Sequence, residues 1–281
     1  RKHKMSYLSK KRFTMRQVIG LLTMVFLGVT VIAYAVSFTD FQQNTTISSS
    51  EMNTKLNALK DAINKKDTSC QGNSANDIMV KVGPLCVDKY EASVWSNADG
   101  TGTAYGSFTG QTAYPASFPA NGNWTAPLYA VSMSGVPPTN VTWFQAQQAC
   151  ALSGKRLLTN AEWQMAAAGT PDNTNCNVDT GAVANTGANV SCVSNYQVND
   201  MVGNVREWVA DWVPASTASP GWGSFSDDMM NLSGASITAT YPGALVRGGR
   251  YYSGAGAGVF ALDASRAPSD LLIDLGFRCV R

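Results

Sequence analysis

A run of 21 residues without a charge, Val18 to Phe38 (VIGLLTMVFLGVTVIAYAVSF), divides this chain into parts that cannot share one environment. A helix of that length covers the roughly 30 Å hydrocarbon layer of a bilayer. A stretch apolar on every face also has no polar side to turn toward water. Seven basic residues precede it with no acid among them (Arg1, Lys2, Lys4, Lys10, Lys11, Arg12 and Arg16), and the first acids beyond it are Asp40 and Glu51. The positive-inside rule then places the basic segment in the cytoplasm and everything past the run outside. We therefore expect a cytoplasmic basic tail at 1–17 and a single-pass transmembrane helix at 18–38, with the remainder extracytoplasmic at the cell surface. Two readings compete: a buried core helix, and a signal peptide cleaved after Ala33-Tyr34-Ala35. The length of the basic region and of the apolar run favours a retained anchor.

All six cysteines, Cys70, Cys86, Cys150, Cys176, Cys192 and Cys279, lie beyond that run. An even count in an oxidising compartment reads as disulfides, although six cysteines permit fifteen pairings and the residues alone do not choose among them. No two have the close spacing of a zinc knuckle, and the single histidine, His3, falls in the basic segment. His-ligated zinc and Ser-His or Cys-His nucleophile pairs are thereby excluded from the outer part. Past residue 16 fourteen bases face nineteen acids, a net charge of −5, so the electrostatic footprint of a nucleic-acid binder is missing.

Residues 39–69 read as a polar linker containing a short amphipathic helix. Met52, Leu56, Leu59 and Ile63 fall at 4, 3, 4 spacing behind a cap at Ser49 or Ser50. This seam either lies on the domain or joins chains into a homo-oligomer through residues 50–66. From residue 70 to 281 the chain reads as one loop-rich α+β domain. Val80 to Cys86 and the following VDKYEAS form an opening hairpin, and Asn97 to Asn123 is loop. One helix starts at Thr142, with Gln145 completing a capping box, and stops at Gly154; a second starts at Thr159 with Glu162 and stops at Gly169. Short strands are expected near Glu207 to Trp212, Leu245 to Gly248 and Gly276 to Val280. Trp143, Trp163, Trp208 and Trp212 are expected in the core.

The last 35 residues have a distinct grain. A small and apolar framework (Arg247-Gly248-Gly249, Gly254, Gly256 to Leu262, Ala267-Pro268, Gly276-Phe277-Arg278-Cys279) alternates with Arg250, Tyr251, Tyr252, Ser253, Asp263, Ser265, Arg266, Asp270, Leu271, Leu272 and Asp274. Tyr, Ser, Arg and Asp on a glycine-rich scaffold match the composition of a binding surface, where Tyr gives contact area at low entropic cost. These eleven residues are the expected ligand surface, with Val259, Phe260 and Leu262 anchoring it from inside. Tyr251, Tyr252 and Arg266 are the residue types that dominate interface energy.

VDKYEAS, NVTWFQAQQACALSGKRLLTNAEWQMAAAGTPD, DMVGNVREWVADW, Arg247-Gly248-Gly249 and GFRC together resemble the formylglycine-generating enzyme, or sulfatase-modifying factor, family, in order from about Lys81 to Arg281. The resemblance implies a C-type-lectin-like fold. It also implies a disulfide between Cys150 and Cys279, which leaves Cys70 with Cys86 and Cys176 with Cys192 as local pairs. Catalytic members carry two copper-binding cysteines shortly after a Gly-Gly; the matching positions here are Ser253 and Gly258, so no copper is expected and the oxidase chemistry lacks its thiolates. The segment around Asn204, Val205 and Glu207 is similar to one that holds structural calcium in the family, through backbone carbonyls and the Asn and Glu side chains.

More narrowly, the C-terminal pattern resembles the variable proteins of diversity-generating retroelements, which display a rewritable surface on this fold. The combined expectation is a membrane-anchored outer protein that binds an unknown protein or glycan, with no catalytic residue. The alternatives are an enzyme of the parent family, oxidising a protein cysteine, and a structural surface protein.

Overall fold

The computed structural model describes residues 50, 52–56, 70–214, 223–231 and 242–281. The expected basic tail and membrane helix lie outside the described residues, as does most of the linker. No described helix is long and apolar enough to cross a membrane. Residues 52–56 are helical, and Thr54 Oγ1 donates to the Ser50 carbonyl at 2.9 Å. Only Met52 and Leu56 of the expected seam are described. The chain divides into two compact units after Asp67, and among the described residues every strand belongs to the second, Thr68–Arg281.

Strands β1 (Met79–Val82) and β2 (Leu85–Asp88) form an antiparallel hairpin. Its turn is Gly83-Pro84, and Gly83 takes φ +58°, a conformation glycine adopts without cost. VDKYEAS joins the second arm of the hairpin only through Val87 and Asp88, which end β2; the chain then leaves the hairpin, and Ser93 begins β3 (Ser93–Trp95). The strand β3 lies between β4 (Ala104–Tyr105) and β5 (Tyr129–Val131) in a small antiparallel sheet.

Both capping boxes form as expected. Thr142 and Gln145 exchange side-chain and backbone bonds at the start of α1 (Trp143–Leu152), and Thr159 and Glu162 do so at α2 (Asn160–Ala166). Each box satisfies two backbone N–H groups that a helix start leaves unpaired. α1 buries Ala146, Ala149 and Cys150, and α2 buries Trp163 and Ala166. Between them runs β6 (Arg156–Leu157).

The largest sheet has the order β12 (Leu275–Phe277), β7 (Arg206–Val213), β10 (Gly243–Arg247), β11 (Leu262–Arg266), β9 (Asp228–Asn231), β8 (Gly223–Phe225). The sequence pattern merges Gly276 to Val280 into one strand, but the chain breaks at Arg278. β12 pairs parallel with β7, whereas β13 (Cys279–Val280) lies between β2 and β6 in a separate four-stranded sheet. The break turns the Arg278 side chain fully inward. β11 has no counterpart in the sequence reading: Leu-Asp-Ala-Ser-Arg alternates apolar and polar residues only as far as Ser265 and carries no β-branched or aromatic residue to mark a strand.

Two large apolar clusters fill most of the domain. One gathers Val94, Phe118, Ala146, Trp208 and Phe277; the other gathers Val82, Leu158, Trp163, Met201, Val209 and Leu262. A third, smaller one gathers Cys176, Val178, Cys192, Val202 and Ala257. Trp163 and Trp208 are core residues as expected, but Trp212 is 40% exposed. It meets Trp143 edge-on at 5.1 Å, at the outer end of β7 where the strand runs past the core. All three disulfides are those expected: Cys70–Cys86, Cys150–Cys279 and Cys176–Cys192. The second ties α1 to the last strand across 129 residues.

Candidate functional site

The C-terminal surface is built where the chain leaves β10 and folds back on itself. Gly248 takes φ +87° and Gly249 φ +79°, and a Cβ would lie 2.8 Å from the Met201 carbonyl oxygen at the first and 2.5 Å from Ala257 Cα at the second. No other residue satisfies both the backbone angle and the close approach. Beyond this crossing the chain makes a short 3₁₀ turn (Gly254–Gly256), enters β11, and loops through 267–274 into β12.

A charged network underlies the surface. Arg206, at the start of β7, reaches Asp263 Oδ2 and Asp274 Oδ2, both at 2.9 Å, and all three side chains are nearly inaccessible. Arg250 also pairs with Asp274, and Arg266 Nε reaches Asp263 at 3.4 Å. Ser265 closes the other Asp263 oxygen through its hydroxyl and its backbone N–H. Burial pushes the Asp274 carboxyl up, but the guanidiniums of Arg206 and Arg250 outweigh it and hold the group below the usual carboxylate range. Burial conversely lowers the Arg206 pKa, against the pull of Asp274.

Above this network stand the side chains that meet solvent. Tyr252 is 46% exposed; its hydroxyl donates to Asp274 Oδ2 at 3.0 Å, and Arg250 lies 3.9 Å over its ring. Tyr251 packs edge-on against it at 4.7 Å. Leu271, Leu272 and Ile273 are exposed in the loop before β12. Ser253, Ser265, Arg266 and Asp270 are half-buried.

Most of the eleven sequence-derived positions are therefore linked by direct contacts, in a buried and an exposed layer. Asp263 and Asp274, read as surface residues, are buried because each neutralises an arginine. Phe260, read as an inward anchor, is 39% exposed, while Leu262 is buried and Val259 packs against the core. Arg206 and Ile273 were not foreseen. A basic residue opening a strand between buried neighbours was the only available signal for the first; nothing distinguished the second from Leu271 and Leu272.

The residues read as calcium ligands do not fit that role as placed. Both Glu207 oxygens accept from Arg278 Nε, at 2.9 and 2.7 Å, and Trp163 Nε1 donates to Oε2 at 2.7 Å. Asn204 Oδ1 accepts from Asn177 Nδ2 and Ala184 N, both at 2.9 Å. The Asn204 amide in turn donates to Glu91, whose carboxyl is pushed well above its ordinary range, first by burial and then by the charges of Asp200 and Glu207. The acceptors are filled by protein donors, which makes this a self-contained polar core. Copper fares no better, since every cysteine of the chain is closed in a disulfide.

Residues 84–281 match the Sulfatase-modifying factor enzyme 1-like domain family. A formylglycine-generating enzyme of Thermomonospora curvata is 34% identical over 112 residues, covering 30% of this chain and 37% of that protein. The match thus spans little more than a third of the relative's length. Among solved structures, the P3c variant of a major tropism determinant aligns with TM-score 0.47 at 20% identity, over 73% of this chain and 52% of its own. The U1 variant gives 0.46 at 23% identity, over 76% and 55%. Treponema denticola variable protein 1 gives 0.28 at 24%, over 45% and 47%.

Proposed function

This chain belongs to the Sulfatase-modifying factor enzyme 1-like domain family, and we propose that it is a member that holds a ligand without transforming it. The observation that carries this reading is the state of its sulfur. The family's oxidative chemistry needs thiolates to bind Cu(I) and attack the substrate, and all six cysteines here are tied up in pairs. At the two positions matching the copper ligands stand Ser253 and Gly258. The second has no room for a side chain, because a Cβ there would lie 1.5 Å from Asp228 Oδ1.

In place of that chemistry, the C-terminal loops present Tyr252, Tyr251, Arg250 and the Leu271-Leu272-Ile273 patch on a C-type-lectin-like scaffold. Aromatic and Arg anchors beside exposed aliphatic groups suit a protein or glycan partner. The arrangement is of the kind expected for a variable protein of a diversity-generating retroelement. Residues 18–38 anchor the domain and place it outside the cell, in keeping with its three disulfides, which persist in oxidising compartments.

The test is a binding screen of the full chain against glycan arrays and cell-surface extracts, run beside a Tyr252→Ala/Leu272→Ala variant. Specific binding that the variant loses supports the proposal. Oxidation of a cysteine in a sulfatase-derived peptide by the copper-supplied protein would refute it. Protease accessibility of the domain on intact cells tests its location.

A further inference from the structure

The geometry points to a calcium site formed by Asp172, Asp227 and Asp228, which fastens the turn between β8 and β9 to the segment after α2. Carboxylate oxygens of these three residues lie within 4.8 Å of one another. Calcium takes six to eight oxygens at about 2.3–2.6 Å, so ligands on opposite sides of its shell stand up to about 5 Å apart. Magnesium, at about 2.0–2.1 Å and strictly octahedral, needs a tighter set.

A second observation, independent of the clustering, concerns Asp228. The residue is 1% exposed, and its Oδ2 accepts from the Phe260 backbone N–H at 2.8 Å. Its Oδ1 is buried and has no hydrogen-bond partner among the described residues. A buried carboxylate oxygen left without a partner is costly, and this one packs against Gly258, where a Cβ would lie 1.5 Å from it. Asp172 and Asp227 are exposed, so the site opens to solvent on their side and water can complete the shell.

The charge is also uncompensated. Burial, and then the charges of Asp172 and Asp227, push the Asp228 carboxyl up to about 6, against the Phe260 N–H and a weak pull from Arg247. Burial and Asp227 raise Asp172 in turn. Arg247 gives its terminal nitrogens to the carbonyls of Val259, Phe260 and Ala261 and to Gln164. A divalent cation supplies both the countercharge and the partner that Oδ1 lacks. With two exposed ligands, the affinity belongs with weak extracellular calcium modules, at roughly 10⁻⁴–10⁻³ M. None of this depends on what the neighbouring surface binds.

The experiment uses the full chain stripped with chelator, titrated with calcium chloride by calorimetry and then unfolded thermally with and without millimolar calcium. The wild type is expected to bind in the submillimolar range and to unfold several degrees higher with calcium. Asp172→Asn/Asp227→Asn is expected to lose at least tenfold in affinity and the whole thermal shift. Its calcium-free midpoint should equal or exceed that of the wild type, because a repulsion is removed. No calcium-dependent shift in the wild type, or an equal shift in the variant, overturns the proposal.

Discussion

The Tyr252 hydroxyl donates to Asp274 Oδ2 at 3.0 Å, so the most exposed aromatic side chain of the C-terminal surface is fastened to one of its least exposed carboxylates. Asp274 does not depend on that bond, because Arg206 and Arg250 hold the same oxygen. Tyr252→Ala should therefore lower folding stability by only about 1–2 kcal/mol, the worth of one partly exposed hydrogen bond and the ring's contacts with Arg250 and Tyr251. If the surface is the binding site, the same change weakens binding by about 2 kcal/mol or more, roughly thirtyfold. Parallel thermal unfolding and titration with the ligand found by screening would read both. A large loss of stability would mean that the tyrosine is scaffold.

Asp274 and Leu271 stand three residues apart in sequence, the first buried and the second exposed. Asp274→Ala strips the buried Arg206 of one carboxylate, and breaking a buried pair costs about 3–5 kcal/mol. Leu271→Ala, at a position 48% exposed, should stay within about 0.5 kcal/mol. Urea unfolding of the two variants tests this division between layers, and similar costs would refute it.

The parts of the fold legible in the sequence were those specified locally. Thr142 with Gln145 and Thr159 with Glu162 announce helix starts because a capping box is a contact between residues three apart. The opening hairpin, read from Val80 to Cys86, is likewise local, closing through the Gly83-Pro84 turn. β11 and the break at Arg278 were not legible, because both are set by partners far along the chain. Arg278 turns inward to reach Glu207 and the Asp88 and Asn199 carbonyls, and β11 is a strand only because β10 and β9 flank it. The surface shows the same limit: residue types single out the C-terminal segment, but Asp263 and Asp274 could not be told from true surface acids without seeing Arg206 between them.

The Cys150–Cys279 bridge closes a span of 129 residues, which in the chain-entropy account contributes about 5 kcal/mol by restricting the unfolded chain. The bridges Cys70–Cys86 and Cys176–Cys192 each close a span of 16, for about 3 kcal/mol. Cys150→Ser/Cys279→Ser should be the most destabilising of the three double replacements, measured by denaturant unfolding under non-reducing conditions. An equal cost for all three would show that local packing outweighs loop length.

Asp200 gives the domain a pH dependence of definite sign. It is 3% exposed, sits at φ +57°, and accepts from the Gly187 backbone N–H at 2.6 Å. Burial pushes its carboxyl up to about 6; the Gly187 N–H and Arg278 pull it down, and Glu207 adds to the rise. Well below pH 3.8 the group is largely protonated in both the folded and the unfolded chain. Between 4 and 6 the unfolded chain gives up the proton while the folded one keeps it, so this group makes the fold less stable as pH rises through that window. Asn at this position cannot titrate, tolerates positive φ and keeps an acceptor for Gly187. It also relieves Glu91, on which the Asp200 charge acts. The stability difference between Asp200→Asn and wild type should thus move in favour of the variant from pH 4 to pH 7, with most of the change by pH 6. Urea unfolding at pH 4, 5, 6 and 7 measures it, and a difference that stays constant across the series would show that Asp200 does not carry this strain.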